Sequence, residues 1–150
     1  GEEAVMTHPA ALAQRVTDNA RRLGREVDLV LEPGSEEEAP LRPGAVERAV
    51  ENLVQNALRH ARHVRLSVAA GEGWVRFAVE DDGPGIPADR REEAMRPFVR
   101  LDAARNQDSG SGAGLGLAVA LDIARVHGGT LRLSESEALG GLRAEIVIPR

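Results

Sequence analysis

The sequence Asp-Asp-Gly-Pro-Gly-Ile-Pro at residues 81–87 is the stretch that decides the fold. It ends a run in which Val75, Phe77 and Val79 alternate with other residues, the pattern of a strand with one buried face. Aspartate, glycine and proline are turn formers, and glycine adopts positive φ without strain. We therefore expect the chain to leave a sheet at Asp81 through a tight, glycine-rich loop.

The other elements follow from the same kinds of pattern. Alternating apolar residues predict strands, and apolar residues spaced every three to four positions predict helices. The strands are expected at 26–32, 63–70, 74–81, 130–135 and 142–148, and the helices at 9–23, 43–62, 87–95 and 115–127. Gly24 and Gly128 are expected to stop the first and last helices, and Thr7 is a candidate cap.

These elements sum to an α+β fold. We expect a two-layer α/β sandwich, in which about five mostly antiparallel strands are covered on one face by three longer helices. Residues 71–73, Gly-Glu-Gly, predict a hairpin turn between two of the strands. Residues 33–43 and 96–112 are rich in turn formers and are expected to be loops.

The composition excludes several classes of function. The chain has 150 residues, enough for one domain, and all 19 of its basic residues are arginine, which excludes a P-loop lysine or a Schiff base. It has no cysteine, which excludes disulfides and thiolate chemistry and is compatible with a reducing compartment. Its net charge of −5 argues against nucleic-acid binding. With no membrane-length apolar run or signal peptide, a cytoplasmic location is expected.

The helix at 43–62 carries a polar stripe beside its apolar one. At about 100° per residue, this stripe collects Asn52, Asn56, Arg59 and His60. An amide oxygen of Asn56 is a hard ligand that suits Mg²⁺, and Arg59 and His60, one turn on, are placed to reach phosphate oxygens. The alternative is an ordinary amphipathic helix with a solvated polar face. Asparagine is unfavourable inside a helix, which favours a ligand-binding role.

The loop after Asp81 has the residue types of a purine site. An aspartate at a strand end accepts a hydrogen bond from an exocyclic amine such as adenine N6. Gly83 and Gly85 allow close backbone approach, and Ile86 offers the base an apolar wall. The alternative is a solvated type I or II turn, because the same residues form turns.

A second glycine-rich run, Gly-Ser-Gly-Ala-Gly-Leu-Gly-Leu at residues 110–117, leads directly into a helix. A helix N-terminus offers free amide donors and a positive dipole end, and glycines let phosphates come close. The candidate phosphate-binding positions are Gly112, Gly114, Leu115, Gly116 and Leu117. A flexible hinge is the alternative. No strand immediately precedes the run, so it is not the dinucleotide-binding motif.

Between the two glycine runs lies Arg-Pro-Phe-Val-Arg at residues 96–100. Arg100 and Arg105 are candidates for contacting a γ-phosphate, and Phe98 is a candidate anchor for the loop. A solvated basic loop is the competing interpretation. Taken with the asparagine helix, the order and spacing of these motifs suit the binding of ATP with a magnesium ion.

Read together, the motifs resemble those of the catalytic ATP-binding domain of bacterial sensor histidine kinases. That family belongs to the gyrase, Hsp90, histidine kinase and MutL (GHKL) superfamily, whose ATP-binding fold is the Bergerat fold. The N, G1, F and G2 boxes are matched by residues 50–60, 79–87, 96–100 and 110–117. The resemblance covers about residues 25–149, and residues 31–35 and 96–100 are especially similar to osmosensor kinases of the EnvZ type.

The resemblance implies roles for individual residues. Asn56 would bind Mg²⁺, Asp81 the adenine amine, and residues 96–113 would form a mobile ATP lid. Arg59 and His60 match positions near the phosphates. The candidate catalytic residues are Asn52, Asn56, Arg59 and Arg100.

Two departures from the family pattern matter. Hydrolysing members of the superfamily carry a glutamate base four residues before the magnesium asparagine, where this chain has Asn52, and Glu51 points about 100° away. An amide cannot accept the proton of water, so transfer to another acceptor is favoured over hydrolysis. The family's phosphoacceptor histidine is also not matched, because His8 has no adjacent acid and lies outside a helix interior.

We therefore expect residues 1–24 to be a helical linker from a dimerisation hairpin absent from this sequence, and residues 25–150 to be the catalytic domain. The expected partners are ATP and ADP, the dimerisation and phosphoacceptor domain of the same kinase, and a response regulator. The parent would be anchored in the inner membrane and this domain monomeric. Two alternatives stay open: a degenerate nucleotide-sensing module, and a GHKL-type ATPase.

Overall fold

The computed structural model of the protein describes residues 1–97 and 116–150. Its described helices are α1 (Pro9–Arg22), α2 (Pro43–His60), α3 (Arg91–Ala94) and α4 (Gly116–Val126), with a 3₁₀ turn at Ala88–Arg90. Its strands are β1 (Val5–Thr7), β2 (Asp28–Leu31), β3 (Ala39–Leu41), β4 (Val64–Gly71), β5 (Trp74–Asp81), β6 (Thr130–Glu135) and β7 (Leu142–Pro149).

Five of the strands form one mixed sheet in the order β2-β4-β5-β7-β6. Only β2 and β4 pair in parallel, and the other three pairings are antiparallel. The longer helices α1, α2 and α4 cover one face of this sheet and share its hydrophobic core. The predicted α+β sandwich with a five-stranded, mostly antiparallel sheet is confirmed.

The two faces of the sheet differ in character. Val75, Phe77 and Val79 of β5 face the helices and are almost fully buried. Their neighbours Arg76 and Glu80 lie on the opposite face, called the outer face below. There Arg76 pairs with Glu32, and Arg143 of β7 pairs with Glu80, at N–O distances of 3.3 and 3.1 Å. The outer face is therefore held by ion pairs, and the inner face by apolar packing.

A small second sheet was not predicted from the sequence. Strand β1 pairs antiparallel with β3, with Val5 opposite Leu41 and Met6 opposite Pro40. Residues 33–43 were expected to be a loop throughout, and for 39–41 that was wrong. Each strand has only three residues, too few for an alternating pattern to be recognised, and a proline inside a short run usually argues against a strand.

The ends of the helices agree with the predictions at their glycines and disagree at one cap. Gly24 and Gly128 have φ values of +80° and +79° and follow the ends of α1 and α4, as expected. Thr7 does not cap α1: its hydroxyl donates to the carbonyl of Val5, and His8 occupies the cap position without a side-chain hydrogen bond to the helix. The helix expected at 87–95 is a 3₁₀ turn followed by the short α3.

Helix α1 is packed into the domain rather than held away from it. Leu12, Ala13 and Val16 are at most 2% exposed and belong to the same core as α2 and the sheet. The boundary expected at residue 24 stays a prediction, but the residues of α1 already contribute to the core of the described unit.

In the part of the chain that the structure describes, no helix combines the length and the apolar character needed to span a bilayer.

Candidate functional site

Asp81, the last residue of β5, is a buried aspartate held by hydrogen bonds from the backbone. Its residue surface is 4% exposed, and its Oδ1 accepts hydrogen bonds from the backbone N–H of Gly83 (2.9 Å) and Leu142 (3.1 Å). Its own carbonyl accepts from the N–H of Gly141 (2.9 Å). Among the described residues, none donates to Oδ2. One carboxylate oxygen is thus fixed by the protein, and the other is left to accept from a ligand.

Glycines allow the backbone to close around this carboxylate. A Cβ on Gly83 would lie 2.8 Å from the carbonyl oxygen of His60, so the loop rests directly on the end of α2. A Cβ on Gly141 would collide with Asp81 Oδ1 and lie 2.6 Å from the nitrogen of Gly83. Gly85 has φ +73°, a conformation that other residues rarely adopt. These positions require glycine for steric and conformational reasons.

The polar stripe of α2 lies beside this loop. Asn52 and Asn56 are half-buried, and Arg59 and His60 are exposed. Within residues 1–97 and 116–150, none of these four side chains forms a hydrogen bond with another residue. Gly116, the first residue of α4, would place a Cβ only 3.6 Å from the carbonyl oxygen of Asn52. The stripe therefore runs from the start of α4 to the loop after Asp81.

The surroundings of His60 at this end of α2 disfavour its charged form. Desolvation of the imidazole, followed by the charge of Arg59, lowers the pKa of His60, and the charge of Asp81 only partly opposes this. The permanent positive charge on the stripe therefore belongs to Arg59.

Asp82, the neighbour of Asp81, has a different environment. Its Oδ1 accepts from the backbone N–H of Arg62 (2.9 Å) and His63 (3.0 Å), and its Oδ2 lies 2.7 Å from Nδ1 of His63. The backbone and side-chain hydrogen bonds from His63 lower the pKa of Asp82 to about 2. Asp82 thus ties the glycine loop to the connection between α2 and β4.

The other predicted site residues divide into two groups. Ile86 is half-buried against the core, and its carbonyl accepts from Nε of Arg91 (3.0 Å). Leu117 is 8% exposed, so its side chain is part of the core, while its amide lies in the first turn of α4. The predictions for Phe98, Arg100, Arg105, Gly112, Gly114 and Leu115, and nearly all of the predicted lid, fall outside the described residues.

Gly141 and Leu142 also belong to the surroundings of Asp81 and were not predicted from the sequence. Both residues contact Asp81 at the start of β7, and Leu142 is 61 positions from Asp81 along the chain. No local sequence pattern carries information over such a separation. The only sequence signal was the glycine pair at 140–141 immediately before a strand, which ordinarily indicates a turn.

Comparison with known proteins identifies the class of protein to which this fold and site belong. The family model for the "Histidine kinase-, DNA gyrase B-, and HSP90-like ATPase" matches residues 42–150. The chain belongs to this family, and it is an ATP-binding catalytic domain of the histidine kinase type.

Individual relatives place it among sensor kinases. The chain is 39% identical over 146 residues to the sensor histidine kinase CpxA of Escherichia coli, a match that covers 92% of this chain and 31% of CpxA. It thus spans about a third of the length of that relative. These similarities do not favour the degenerate module or the ATPase that the sequence left open.

Solved structures agree over nearly the whole chain. The ATP-binding domain of PrrB from Mycobacterium tuberculosis is 29% identical with a TM-score of 0.78, covering 99% of this chain and 98% of that one. The histidine kinase domain of the E. coli osmosensor EnvZ is 36% identical with a TM-score of 0.74, covering 99% and 90%. The resemblance to kinases of the EnvZ type is confirmed.

Proposed function

We propose that this domain binds ATP with Mg²⁺ and transfers the γ-phosphoryl group to a histidine on a dimerisation and phosphoacceptor hairpin outside this sequence. A response regulator would receive the phosphoryl group next. The observation that carries the proposal is the environment of Asp81, a buried carboxylate with one oxygen held by two backbone N–H groups and the other without a described donor.

Adenine recognition follows from that carboxylate. The Oδ2 atom of Asp81 would accept a hydrogen bond from the N6 amine of adenine, whereas guanine would present a carbonyl oxygen and be repelled. Gly83, Gly85 and Gly141 let the backbone close around the carboxylate, and Ile86 would supply an apolar contact to the ring. The site would therefore select adenine over guanine by charge and hydrogen-bond direction.

The polar stripe of α2 fits the phosphate end of the nucleotide. Asn56 is half-buried and its amide forms no hydrogen bond with a described residue, so its oxygen is available as a hard ligand for Mg²⁺. No group of three or more acidic, histidine or cysteine side chains in the described part of the chain forms a metal site by itself. A single protein ligand suits Mg²⁺ only when phosphate oxygens complete its coordination.

The remaining roles concern charge and positioning. Bound Mg²⁺ would neutralise charge on the phosphates, and Arg59 and the amides of Gly116 and Leu117 would hold them in place. Arg100 and Arg105 are the sequence candidates for the γ-phosphate. Asn52 offers no base to activate water, so the domain would position the phosphoryl group for another acceptor. We place the domain at the cytoplasmic side of a membrane-anchored parent, on the family resemblance and the lack of cysteine.

A calorimetric titration tests the proposal first. A non-hydrolysable ATP analogue should bind at about one equivalent, and more tightly with Mg²⁺ than without. Transfer of radiolabelled γ-phosphate should then occur to the histidine hairpin of a sensor kinase supplied in trans. Steady phosphate release without the hairpin would instead support the ATPase, and binding without transfer to any hairpin would support the nucleotide-sensing module.

A further inference from the structure

A cluster of polar residues on the outer face of the sheet lies directly behind Asp81. Glu80 precedes Asp81 in β5 and is 7% exposed, and both of its carboxylate oxygens are engaged. Its Oε2 accepts from the hydroxyl of Ser136 (2.8 Å), which is 1% exposed, and its Oε1 accepts from Nη1 of Arg143 (3.1 Å). Arg143 in turn donates from Nε to Oε2 of Glu145 (2.7 Å).

Ser136 begins the turn between β6 and β7, and hydrogen bonds close this turn on itself. The N–H of Ser136 donates to the carbonyl of Gly141, and the N–H of Gly140 donates to the carbonyl of Ser136, both at 2.8 Å. The hydroxyl of Ser136 also accepts from the N–H of Leu139 (3.0 Å). We call residues 136–141 the β6–β7 turn. Ser136 connects it on one side to Glu80 of the sheet.

The same turn delivers the N–H groups that hold Asp81. Gly141, its last residue, donates to the carbonyl of Asp81, and Leu142, the next residue, donates to Oδ1. The turn therefore meets β5 twice: at Glu80 on the outer face and at Asp81 on the inner face. Its position relative to β5 sets how the Asp81 carboxylate is oriented.

We propose that Glu80 and Ser136 are positioning residues for adenine recognition. By clamping the β6–β7 turn from the outer face, they keep Leu142 on Oδ1 of Asp81 and leave Oδ2 directed at the base. The inference rests on the proposed role of Asp81 as the adenine acceptor. It adds that the selectivity of the site depends on two buried residues that touch no nucleotide.

Burying the charged carboxylate of Glu80 costs free energy of desolvation, which argues that this residue has a specific role. If the buried carboxylate of Glu80 lost one of its hydrogen-bond partners, it would be left unsatisfied at a large cost in free energy. The turn is therefore held in the one position that keeps both hydrogen bonds. The outer face also has an ion pair without this connection. Arg76 and Glu32 are 3.3 Å apart on the same face, and neither is bonded to the β6–β7 turn in the described structure. Glu32 therefore provides a control for the loss of an ion pair on this face, at a more exposed glutamate.

The experiment compares the affinity of the domain for two nucleotides. One is a non-hydrolysable ATP analogue, and the other is the same analogue with purine riboside as the nucleoside, which lacks the exocyclic amine. The wild-type protein should prefer the adenine compound by about tenfold, the effect of one hydrogen bond to a charged acceptor. Glu80→Gln and Ser136→Ala should lose most of this preference, and Glu32→Gln should keep it.

Three outcomes distinguish a failure of the positioning inference from a failure of the proposed role of Asp81. If Asp81→Asn leaves the wild-type preference unchanged, the proposed role of Asp81 is wrong. If Asp81→Asn abolishes the preference but Glu80→Gln and Ser136→Ala retain it, only the positioning inference is wrong. Equal losses of affinity for both nucleotides in those two variants would indicate a merely structural role and also overturn it.

Hydrogen exchange provides a second readout that does not depend on nucleotide. In Ser136→Ala, the amide of Leu142 should exchange faster than in wild type, while amides in the centre of β4 should be unchanged. Unchanged protection of Leu142 would contradict the clamp even if Glu80→Gln fails to fold.

Discussion

The two halves of helix α2 differ in whether their polar groups have hydrogen-bond partners within the protein. At the N-terminal end, Glu2 accepts hydrogen bonds from the N–H groups of Gly44 (2.8 Å) and Ala45 (2.9 Å) through its two carboxylate oxygens. The ring of His127, at the end of α4, accepts from the N–H of Arg42 (3.1 Å). Three donors that a helix start leaves unpaired are thus satisfied by side chains from distant parts of the chain.

The C-terminal half of the same helix shows the reverse. Asn52, Asn56 and Arg59 carry strong donors and acceptors, yet no described residue pairs with their side chains. Asn52 and Asn56 therefore present unpaired amides on a rigid helix, where a ligand can supply the partner. The paired polar groups hold the fold, and we propose that the unpaired ones face the nucleotide.

Adjacent aspartates repeat this contrast on a smaller scale. Both oxygens of Asp82 have partners within the chain, whereas Asp81 has described partners on Oδ1 alone. The difference predicts that substitutions at the paired groups change stability, and that substitutions at the unpaired groups change nucleotide binding and phosphoryl transfer.

The largest effect is expected at Asn56. Asn56→Ala should reduce phosphoryl transfer by at least about a hundredfold, because it removes the proposed ligand of Mg²⁺. The melting temperature should be unchanged or slightly raised, since alanine has the higher helix propensity. Transfer of radiolabelled phosphate and thermal denaturation measure the two quantities. Asn56→Asp is expected to abolish transfer as well, because an added charge changes the metal site.

Gln55 supplies the matched control for this comparison. It is the preceding residue of α2, is exposed, and lies about 100° around the helix from Asn56. Gln55→Ala should leave both transfer and stability close to wild type. Near-normal transfer in Asn56→Ala would contradict the metal assignment.

At the opposite end of α2, a substitution of His127 should lower stability and leave nucleotide binding unchanged. Its Nε2 accepts from Arg42, and its Nδ1 lies 2.8 Å from the carbonyl of Ile123, so the ring bridges α4 and α2. His127→Phe keeps an aromatic ring but leaves both backbone groups without this partner. We expect a loss of about 1–2 kcal/mol in unfolding free energy. Urea denaturation measures it.

Nucleotide affinity separates a structural role of His127 from a functional one. In His127→Phe the affinity for the ATP analogue should stay within about twofold of wild type when measured well below the unfolding midpoint. Lost affinity with unchanged stability would mean that the two ends of α2 are not divided as the hydrogen bonds indicate.

These contacts also define what could be predicted from the sequence. The strand ending at Asp81 and the stripe of Asn52 and Asn56 depend on local periodicity, and both lie where the pattern placed them. The partners of the helix start do not: Glu2 is 42 positions from Gly44, and His127 is 85 positions from Arg42. Such pairs carry no local signal, because only the tertiary fold brings them together. The pairing of β1 with β3 is also distant in sequence, and each of these strands is too short to show an alternating pattern.

The smallest expected effect concerns Glu2, which is exposed and held only at the helix start. The hydrogen bonds that Glu2 accepts from the N–H groups of Gly44 and Ala45 lower the pKa of Glu2. The charged carboxylate therefore stabilises the fold at pH values above the ordinary carboxyl pKa, and this contribution is lost as the pH falls through the lowered pKa. Glu2→Gln should lower the melting temperature at pH 7 by about 2 °C. Its neighbour Glu3, also exposed, is the control, and Glu3→Gln should have no such effect.

Asp82 provides the sharpest test of the contrast between the two aspartates, because the prediction concerns how the unfolding free energy changes with pH and not only its size at one pH. Its pKa of about 2 lies below the ordinary value of 3.8, so its contribution to stability is fully present above about pH 4 and disappears as the pH falls towards 2. Asp82→Asn lacks this term, and its unfolding free energy should approach that of the wild type as the pH falls through that range. Asp89→Asn, at an exposed position without a described hydrogen bond, should parallel the wild type throughout. If Asp82→Asn instead parallels the wild type and loses adenine preference, then Asp82, and not Asp81 alone, belongs to the nucleotide site.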